Sequence, residues 1–470
     1  MKANISDIDT KGSLSTMISY LGDAQILAEE FVKYKPDVPL GLLQALGMNS
    51  ISVPLPTEDP PSLIMNVASN ILENMDNQQK NNISFVEVGT ESICDGSLPL
   101  SQYALKFIDH DDILSNESKH ACVAALNSVW KNTGDNGLVI AADIATYGDD
   151  ETTAPSAEFT GGIGAVAMHL SENGKLLDIL NVRGASSGLT YDFYKPYMQD
   201  HYDLTAKTYP VVFGRYSNLA NIERVGNAYE NLKKRVNISL DTFSGIVMHA
   251  PYPGISKYNL AYLVLIDRKD SLDKDAEEKY SLIQKFLNQA HTHFNNREIS
   301  EVDQIESKIK KMLKEVMLEN GETKTLSSDF REASDKTNPG LEFIKHTGNI
   351  YNGSSPLCLM SLLENQKFSK DEYILWGGYG SGNQAIFMIA KTTNETNNIA
   401  NNWNTLSHIQ NRRLLKSAEY QQIKEVGYNS VAKLKSNNNN IQINNFIPRN
   451  SYYLEKQDEF NIKQYKNMAN

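Results

Sequence analysis

Apolar and polar positions alternate along the first half of the chain in blocks of two lengths. Short apolar runs rich in branched side chains predict strands, and longer stretches with helical spacing of apolar residues predict helices. The predicted strands are 83–88, 138–142 and 161–170, and the predicted helices are 24–34, 62–74 and a stretch beginning near Cys122. Strands and helices that alternate at these lengths indicate a layered α/β fold.

The second half repeats this pattern with one addition. Strands are predicted over 243–248, 373–376 and 385–389, and an apolar helix over 258–266. The addition is a highly charged amphipathic helix at 302–319, which we expect on the surface. Two Asn-rich stretches, 394–402 and 437–440, predict solvated loops. The order of elements fits a duplication of two α/β halves, but the sequences of the halves show no repeat.

Composition narrows the class of protein. The chain has 470 residues, of which 40% are hydrophobic and 22% are charged, so it has ample apolar material for a large core. A formal net charge of −12 argues against a general nucleic-acid binder, because phosphate contacts need clustered Lys and Arg.

Cysteine usage and the first residues bear on the compartment. Three cysteines in 470 residues are too few for a disulfide framework, so we expect a reducing environment. The start, MKANISDIDTKGS, has neither the apolar core of a signal peptide nor the Arg-rich pattern of a mitochondrial presequence. No apolar run approaches ~18 residues, so no membrane association is expected. A cytoplasmic protein is the simplest interpretation.

Cys122 is the first candidate for chemistry. It precedes Val123-Ala124-Ala125, small residues that predict the start of a helix. The unsatisfied N–H groups at a helix N-terminus favour a thiolate, which is the nucleophilic form. A buried structural cysteine is the alternative, and it is the more common role for a cysteine judged alone. Cys94 and Cys358 have no comparable context, and we expect both to be structural.

Three further side chains stand at strand ends or in turns. Glu91 follows the first predicted strand, where burial would raise the pKa of its carboxyl group and suit it to general acid–base work. The alternative for Glu91 is an exposed loop glutamate. His249 ends the strand 243–248 and would either hold a carbonyl group or be a satisfied core histidine. Asn349 would either donate to a carbonyl group or only form a turn.

A glycine-rich run covers residues 377–382. It lacks the Lys-Ser/Thr ending of a P-loop, and its glycine spacing differs from that of a dinucleotide-binding fingerprint. Residues without bulky side chains permit a close backbone approach, with an N–H directed at an oxyanion. A tight turn between strands is the simpler alternative.

Taken in order, these motifs resemble those of the 3-hydroxy-3-methylglutaryl-CoA (HMG-CoA) synthases, a branch of the thiolase superfamily. The matching segments are Val88-Gly89-Thr90-Glu91-Ser92, Ala121-Cys122, Met248-His249-Ala250-Pro251-Tyr252, Gly348-Asn349-Ile350-Tyr351 and Tyr379-Gly380-Ser381-Gly382. Further landmarks are Glu58-Asp59, Asp143-Ile144-Ala145-Thr146-Tyr147, Thr160-Gly161-Gly162 and Tyr191-Asp192-Phe193-Tyr194-Lys195-Pro196. The resemblance extends from about residue 15 to residue 466.

The resemblance implies an α/β, thiolase-like fold of αβαβα layers built from two similar halves, normally as a homodimer. The expected N-terminal half, 1–200, carries Glu91 and Cys122. The expected C-terminal half, 201–470, carries His249 and Asn349, with a surface helical insertion at about 300–320.

The resemblance also implies a reaction, in which acetyl-CoA, acetoacetyl-CoA and water give 3-hydroxy-3-methylglutaryl-CoA and CoA. This acyltransferase step belongs to mevalonate, isoprenoid and sterol biosynthesis, and the family needs no metal and no redox cofactor. Cys122 would carry the acetyl group, Glu91 would be the general acid/base, and His249 would position the acetoacetyl thioester. The other implied substrate-binding residues are Asn349, Ser381, Tyr351, Thr160 and Lys257.

This chain departs from the family pattern beside the nucleophile and at the coenzyme. Gly254 and Tyr258 occupy the positions of two family lysines, the first of which meets the coenzyme, and Lys257 is a partial substitute. The other departures are His120 for Asn, Val123 for Tyr and Phe213 for Asp. Two alternatives therefore stay open: an HMG-CoA synthase-like enzyme that acts on a carrier-protein-bound acceptor, and a catalytically weakened paralogue that serves as a binding partner.

Overall fold

The structure is a computed structural model that describes residues 2–147, 155–195, 210–271, 273–318, 324–427, 446–459 and 462–468. Within those ranges no helix is long and apolar enough to cross a bilayer. The helices are α1 (Ala28–Tyr34), α2 (Leu40–Leu46), α3 (Pro60–Glu73), α4 (Asn77–Asn81), α5 (Gln102–Leu105), α6 (Ala124–Asn132), α7 (Gly214–Lys233), α8 (Pro253–Lys269), α9 (Lys274–Asn295), α10 (Ile299–Met317), α11 (Lys324–Thr337), α12 (Ile344–Thr347), α13 (Ser354–Asn365), α14 (Thr396–Asn401), α15 (Thr405–Gln410) and α16 (Ser417–Val426). The strands are β1 (Ala3–Asn4), β2 (Thr10–Tyr20), β3 (Ala24–Leu27), β4 (Ser50–Val53), β5 (Phe85–Gly89), β6 (Leu114–Ser118), β7 (Gly137–Ile144), β8 (Ile163–Ser171), β9 (Leu177–Ser187), β10 (Phe193–Tyr194), β11 (Val211–Val212), β12 (Val236–Asn237), β13 (Gly245–Val247), β14 (Tyr373–Gly380), β15 (Gln384–Thr392), β16 (Arg413–Leu414), β17 (Tyr452–Gln457) and β18 (Lys463–Asn467).

The main sheet has nine strands in the order β13-β14-β15-β9-β2-β8-β7-β5-β6. Every residue of β5 and of β7 is buried. Strands covered on both faces need continuous apolar runs, which is why the runs at 83–88 and 138–142 predicted them. β2 joins the two parts of the sheet, because it pairs with β8 on one side and with β9 on the other.

The two parts of the sheet repeat one arrangement. In the first part, β5 runs parallel to β7, β7 antiparallel to β8, and β8 antiparallel to β2. In the second part, β13 runs parallel to β14, β14 antiparallel to β15, and β15 antiparallel to β9. The strands also follow each other along the chain in the same order. The duplication that the sequence does not show is therefore present in the backbone.

Three apolar clusters give the layers. One cluster packs α3 on one face of the first part of the sheet, and another packs α7 and α8 on the outer face of the second part. The third cluster lies between the two parts and combines α6 with α13, as in Leu126, Val139, Leu359 and Trp376. Helices therefore form one layer between the two parts of the sheet and one layer on the outer face of each part. With the two parts of the sheet, this gives five layers. The catalytic candidates lie where the two central helices begin.

The charged helix predicted at 302–319 is present as α10. Its apolar side chains are buried against α7, α8 and α9, while its charged face is outside. The separate strands β3, β4 and β16 pack with α1, α2 and α16 into a smaller cluster that includes Phe31, Phe159 and Tyr420.

Three local expectations are wrong. The helix predicted over 24–34 begins only at Ala28, because the preceding residues pair with β4 as strand β3. The loop predicted over 394–402 contains α14, whose start is fixed by a bond from Thr393 N–H to the Thr396 hydroxyl at 2.8 Å. The glycines up to Gly380 lie in strand β14, so the turn is shorter than expected. The boundary at 200/201 and the stretch 437–440 lie outside the described residues.

Candidate active site

Cys122 lies in a tight turn that leads into α6. The residue before it, Ala121, has φ +42°, a left-handed backbone conformation that is uncommon for a residue with a side chain. Such strain persists where surrounding contacts hold the turn. One of these contacts joins the two halves, because Ala125 N–H donates to Asn352 Oδ1 at 3.0 Å. Asn352 thus caps the helix that presents Cys122.

Glu91 and Cys122 are in direct contact. Glu91 follows β5, and its Oε1 accepts a hydrogen bond from Cys122 Sγ at 3.2 Å. The approach needs Gly89 at the end of β5, because a Cβ there would lie 2.4 Å from Ala125 N. Two residues predicted from separate motifs, a strand end and a helix start, therefore form one pair.

A cation, Lys195, and an anion, Asp143, both flank Glu91. Lys195 Nζ lies 3.3 Å from Glu91 Oε2. Asp143, at the end of β7, is fully buried, and its Oδ1 accepts from Glu91 N–H at 2.9 Å. The other donors to Asp143 are Thr90 Oγ1, Ser92 Oγ, Asn352 N and Asn352 Nδ2. Asp143 therefore fixes the Glu91 backbone and also ties the Glu91 turn to the other half.

Burial and charge set the proton affinities of the pair. Burial raises the pKa of Glu91, Lys195 acts in the opposite direction, and Asp143 adds to the rise. This environment suits the acid–base role predicted for Glu91. Burial and the neighbouring Glu91 raise the pKa of the Cys122 thiol well above its ordinary value. The prediction that the helix N-terminus favours a Cys122 thiolate is therefore wrong for this structure. Burial and the adjacent Glu91 carboxylate outweigh the helix dipole and favour the thiol.

Two tyrosines adjoin the pair. Burial raises the pKa of Tyr147 and of Tyr351, and the charges of Cys122 and Glu91 act on both phenols. Tyr351 has φ +44°, and Lys195 Nζ stands 4.5 Å from the centre of its ring. Tyr351, one of the predicted substrate-binding residues, therefore lies at the pair.

Asn349 and Thr160 meet beside Tyr351. Asn349 N–H donates to Thr160 O at 2.7 Å. Asn349 Oδ1 accepts from Tyr351 N–H at 2.9 Å and from Ser354 Oγ at 2.8 Å. Asn349 thus forms a turn, one of the two roles predicted for it. Because its oxygen is occupied, a contact with a substrate carbonyl would come from its amide nitrogen.

The glycine run packs against the Cys122 turn. A Cβ at Gly380 would lie 2.6 Å from His120 O and 3.0 Å from Val123 N. A residue with a side chain would push β14 away from the turn. The close backbone approach at Gly380 is made to the Cys122 turn, and the N–H directed at an oxyanion stays a prediction.

His249 follows β13, the position that Glu91 has after β5 in the other half. It is 3% exposed, and burial lowers its pKa to about 3, so the imidazole is neutral near pH 7. Its Nδ1 is buried without a hydrogen-bond partner. An unsatisfied buried nitrogen is costly, so His249 is not the satisfied core histidine that was its alternative, and its contact with a carbonyl group stays a prediction.

Ser381 belongs to a neighbouring cluster centred on Asp192. Asp192 is fully buried and accepts from Ser217 Oγ at 2.9 Å, from Tyr379 OH at 3.2 Å and from Gly382 N–H at 3.4 Å. The Ser381 side chain also bonds to Asp192, whose pKa is raised by burial. The described side-chain contacts of Ser381 thus lie with Asp192 and Tyr379, and none of them is with the Cys122–Glu91 pair.

The residues predicted at the coenzyme lie on α8. Gly254 is its second residue, and a Cβ there would lie 3.3 Å from the Tyr252 ring, so a longer side chain needs only a small adjustment. Lys257 is exposed. Tyr258 is covered by Lys310 of α10, whose Nζ lies 5.2 Å from the centre of the ring.

Four residues at the pair had no role in the sequence analysis: Asp143, Lys195, Asn352 and Tyr147. Three of them lie in segments noted for the resemblance, and a carboxylate closing a buried strand was a usable signal for Asp143. Asn352 gave none, because its partners, Ala125 and Asp143, are distant in sequence. Within the described residues, no group of three or more His, Cys, Asp or Glu side chains converges as metal ligands.

Comparison with known families identifies the chain. Residues 20–175 match "Hydroxymethylglutaryl-coenzyme A synthase N terminal", and residues 179–468 match "Hydroxymethylglutaryl-coenzyme A synthase C terminal". Two similar halves, the first of which carries a cysteine–glutamate pair, define a thiolase-like protein. Within that class, the chain belongs to the hydroxymethylglutaryl-CoA synthase family.

Several curated relatives span most of the chain. A hydroxymethylglutaryl-CoA synthase of Gibberella zeae is 26% identical over 450 residues, which cover 89% of this chain and 90% of the relative. The Schizosaccharomyces pombe synthase is 26% identical over 413 residues and covers 82% of each chain. The human cytoplasmic synthase is 28% identical over 269 residues, 51% of this chain and 48% of that protein.

Solved structures show the same fold. MvaS in complex with 3-hydroxy-3-methylglutaryl coenzyme A has a TM-score of 0.75 at 18% identity and covers 98% of this chain and 100% of its own. The curacin-pathway HMG synthase in complex with an acetyl donor-ACP has a TM-score of 0.74 at 20% identity and covers 97% and 99%. The predicted thiolase-like α/β fold is confirmed.

Proposed function

We propose that the protein condenses acetyl-CoA with acetoacetyl-CoA and water to give 3-hydroxy-3-methylglutaryl-CoA and CoA. The observation that carries the proposal is the 3.2 Å contact between Cys122 Sγ and Glu91 Oε1. Acyl transfer followed by proton abstraction needs a thiol and a basic carboxylate at one point. Membership of the family supports the same reaction.

In the first step, the Cys122 sulfur attacks the carbonyl carbon of acetyl-CoA. The new carbon–sulfur bond forms as the bond to the CoA sulfur breaks, and the thiol proton ends on the released CoA. Loss of that proton breaks the hydrogen bond from Cys122 Sγ to Glu91. The Glu91 carboxylate then faces the acetyl group.

In the second step, Glu91 takes a proton from the acetyl methyl group, and the C–H electron pair becomes an enolate-like carbanion. The carbanion attacks the ketone carbon of acetoacetyl-CoA, and the ketone oxygen receives the proton from Glu91. The raised pKa of Glu91 suits it to both transfers. Neutral His249 and the Asn349 amide would donate to the acceptor's oxygens without adding charge.

In the last step, water attacks the acyl carbon held by Cys122. The carbon–sulfur bond breaks, 3-hydroxy-3-methylglutaryl-CoA leaves, and the thiol regains its proton. The proposal is tested by chromatographic detection of 3-hydroxy-3-methylglutaryl-CoA from purified protein and both substrates, with Cys122→Ala as the control. Product in the wild type and none in the control is the expected result. No product and no acetylated protein would instead favour a non-catalytic binding partner.

A second candidate is an enzyme whose acceptor is bound to a carrier protein. It is favoured by Gly254 and Tyr258, which lack the positive charge expected at the coenzyme phosphates. A carrier-bound acceptor keeps the pantetheine arm but has no adenosine phosphate to neutralise. Condensation rates with acetoacetyl-CoA and with acetoacetyl-carrier protein, measured side by side, separate the candidates. A rate at least about tenfold higher with the carrier form would correspond to ~1.4 kcal/mol of preference and would replace the first proposal.

We also infer a homodimer, with β6 as part of its interface. β6 ends the main sheet, and Leu114 at its start is 72% exposed. An edge strand presents unpaired backbone N–H and C=O groups, which are a template for pairing with another chain. Light scattering should show a dimer for the wild type and a monomer for Ser115→Pro, whose missing N–H faces the free edge, because Leu114 N–H is directed at Ser84 O beside β5 and direction alternates along a strand. A monomeric wild type would contradict the inference.

A cytoplasmic location is inferred from one relative, the human synthase, which is described as cytoplasmic. Fractionation of cells that express a tagged protein tests the inference. Recovery in a membrane or organelle fraction would overturn it.

A further inference from the structure

Lys195 makes three contacts at the catalytic pair. Its Nζ lies 3.3 Å from Glu91 Oε2 and 3.3 Å from the main-chain oxygen of Glu91. The ammonium also stands 4.5 Å from the centre of the Tyr351 ring, within the range of a cation–π contact. The Lys195 side chain is 23% exposed, so solvent screens these contacts only in part.

The groups around Glu91 come from every element packed against it. Asp143 of β7 holds the Glu91 backbone, Cys122 before α6 donates to Oε1, and the phenols of Tyr147 and Tyr351 lie nearby. Lys195 is the one cation among these described groups. Because it takes Oε2, the other carboxylate oxygen is directed at the Cys122 sulfur.

We propose that Lys195 is a positioning residue that holds the Glu91 carboxylate against Cys122, so that Oε1 meets the acetyl methyl group once the thiol is acylated. This inference rests on the proposed condensation for its catalytic consequence, but not for its geometry. Two contacts to one glutamate, one on the side chain and one on the backbone, fix the rotamer as well as the turn. A geometry of this kind controls how closely base and methyl group approach.

The charge of Lys195 has a second consequence. It opposes the rise that burial causes in the pKa of Glu91, and it acts in the same direction on Cys122. Without Lys195, both groups would hold their protons to higher pH. The Glu91 carboxylate and the Cys122 thiolate would then each form only at a higher pH.

The test compares Lys195→Met with Lys195→Arg, which keeps the positive charge. Lys131→Met is a matched control, because Lys131 Nζ lies 3.2 Å from Oε2 of buried Glu87 on β5, the strand that Glu91 follows. Thermal unfolding of each variant establishes that it is folded. The first measurement is kcat/KM for condensation against pH, and the second is the rate at which iodoacetamide alkylates Cys122 against pH.

We expect Lys195→Met to slow alkylation about 5- to 10-fold at fixed pH and to move the rising limbs of both profiles to higher pH. KM for acetyl-CoA should change less than kcat. Lys195→Arg should return both profiles toward wild type, and Lys131→Met should match wild type.

The proposal would be overturned if Lys195→Met left the pH profiles of kcat/KM and of Cys122 alkylation unchanged. It would also be overturned if Lys195→Met and Lys195→Arg lowered these rates equally. If Lys195→Met does not fold, Lys195→Arg decides: wild-type profiles support the proposal, and a fall in both rates as large as that expected for Met contradicts it. The alkylation measurement needs no acetoacetyl-CoA, so it tests Lys195 even if the wild type makes no condensation product. If the wild type forms the condensation product and Lys195→Met shows the same pH profiles, the proposed function is supported but the positioning role of Lys195 is not.

Discussion

The internal repeat sets two turns side by side. The first, Ala121-Cys122-Val123, leads into α6, and the second, Tyr351-Asn352-Gly353, leads into α13. Ala121 has φ +42° and Tyr351 has φ +44°, and each lies three residues before its helix. One backbone arrangement therefore presents a thiol in one half and an amide in the other.

The residues that follow the equivalent strands β5 and β13 also differ between the two halves. β5 leads to Glu91, whose pKa is raised by burial, and β13 leads to His249, whose pKa burial lowers to about 3. In the proposed reaction, the N-terminal half supplies the thiol and the carboxylate. The C-terminal half supplies neutral groups, such as the Asn352 cap on α6. A duplicated scaffold fixes where a side chain points, and the side chain alone decides what the position does.

Removing the thiol from the first turn should have the largest effect. Cys122→Ala should lower condensation by at least about 10⁴-fold, because loss of a nucleophile removes the covalent route. Condensation is measured by product formation. Cys94→Ala, which removes an exposed thiol, is the control and should keep wild-type activity. A Cys122→Ala variant that retains a tenth of the wild-type rate would contradict the assignment.

Removing the proton carrier should come next. Glu91→Ala should lower condensation by roughly 10²–10⁴-fold while the protein still accepts an acetyl group. Acylation persists because losing the Glu91 anion also lowers the pKa of Cys122. Condensation and acetylation are measured on the same preparation. Condensation within about threefold of wild type would rule out this role for Glu91.

The neutral partner in the second half should have a smaller effect. His249→Ala should lower kcat by about 10²–10³-fold through loss of a donor to a carbonyl oxygen. Because burial lowers its pKa to about 3, His249 is already neutral across the working range, and the variant's pH profile should keep its shape. A limb that disappears with His249→Ala would mean that the imidazole titrates during catalysis.

The smallest effect concerns α8, which follows His249. Gly254→Lys should lower KM for acetoacetyl-CoA about 10- to 150-fold, from a charge-assisted contact of about 1.5–3 kcal/mol. Turnover should change less. The backbone allows the change, because Gly254 lies within a helix, although the Tyr252 ring, 3.3 Å from a Cβ there, must shift slightly. An unchanged KM in a folded variant would show that Lys257 or another cation already fills this role.

The sequence predicted residues that stand in local patterns better than residues whose importance lies in long-range contacts. Glu91 and Cys122 were found because each sits in a local pattern, a strand end and a helix start, and such patterns survive in one sequence. Lys195 and Asn352 were missed because their importance lies in contacts with distant residues. The helix predicted at 24–34 failed for a similar reason, since pairing with β4 overrides local spacing.

The central claim is that Cys122 carries an acetyl group that ends in the product. Protein incubated with isotopically labelled acetyl-CoA and freed of excess substrate should gain the mass of one labelled acetyl group, about 42 Da plus the isotope increment, on the peptide that contains Cys122. Addition of unlabelled acetoacetyl-CoA should remove that mass and place the label in 3-hydroxy-3-methylglutaryl-CoA. Labelled product formed by a protein that never carries the acetyl group on Cys122 would contradict the account.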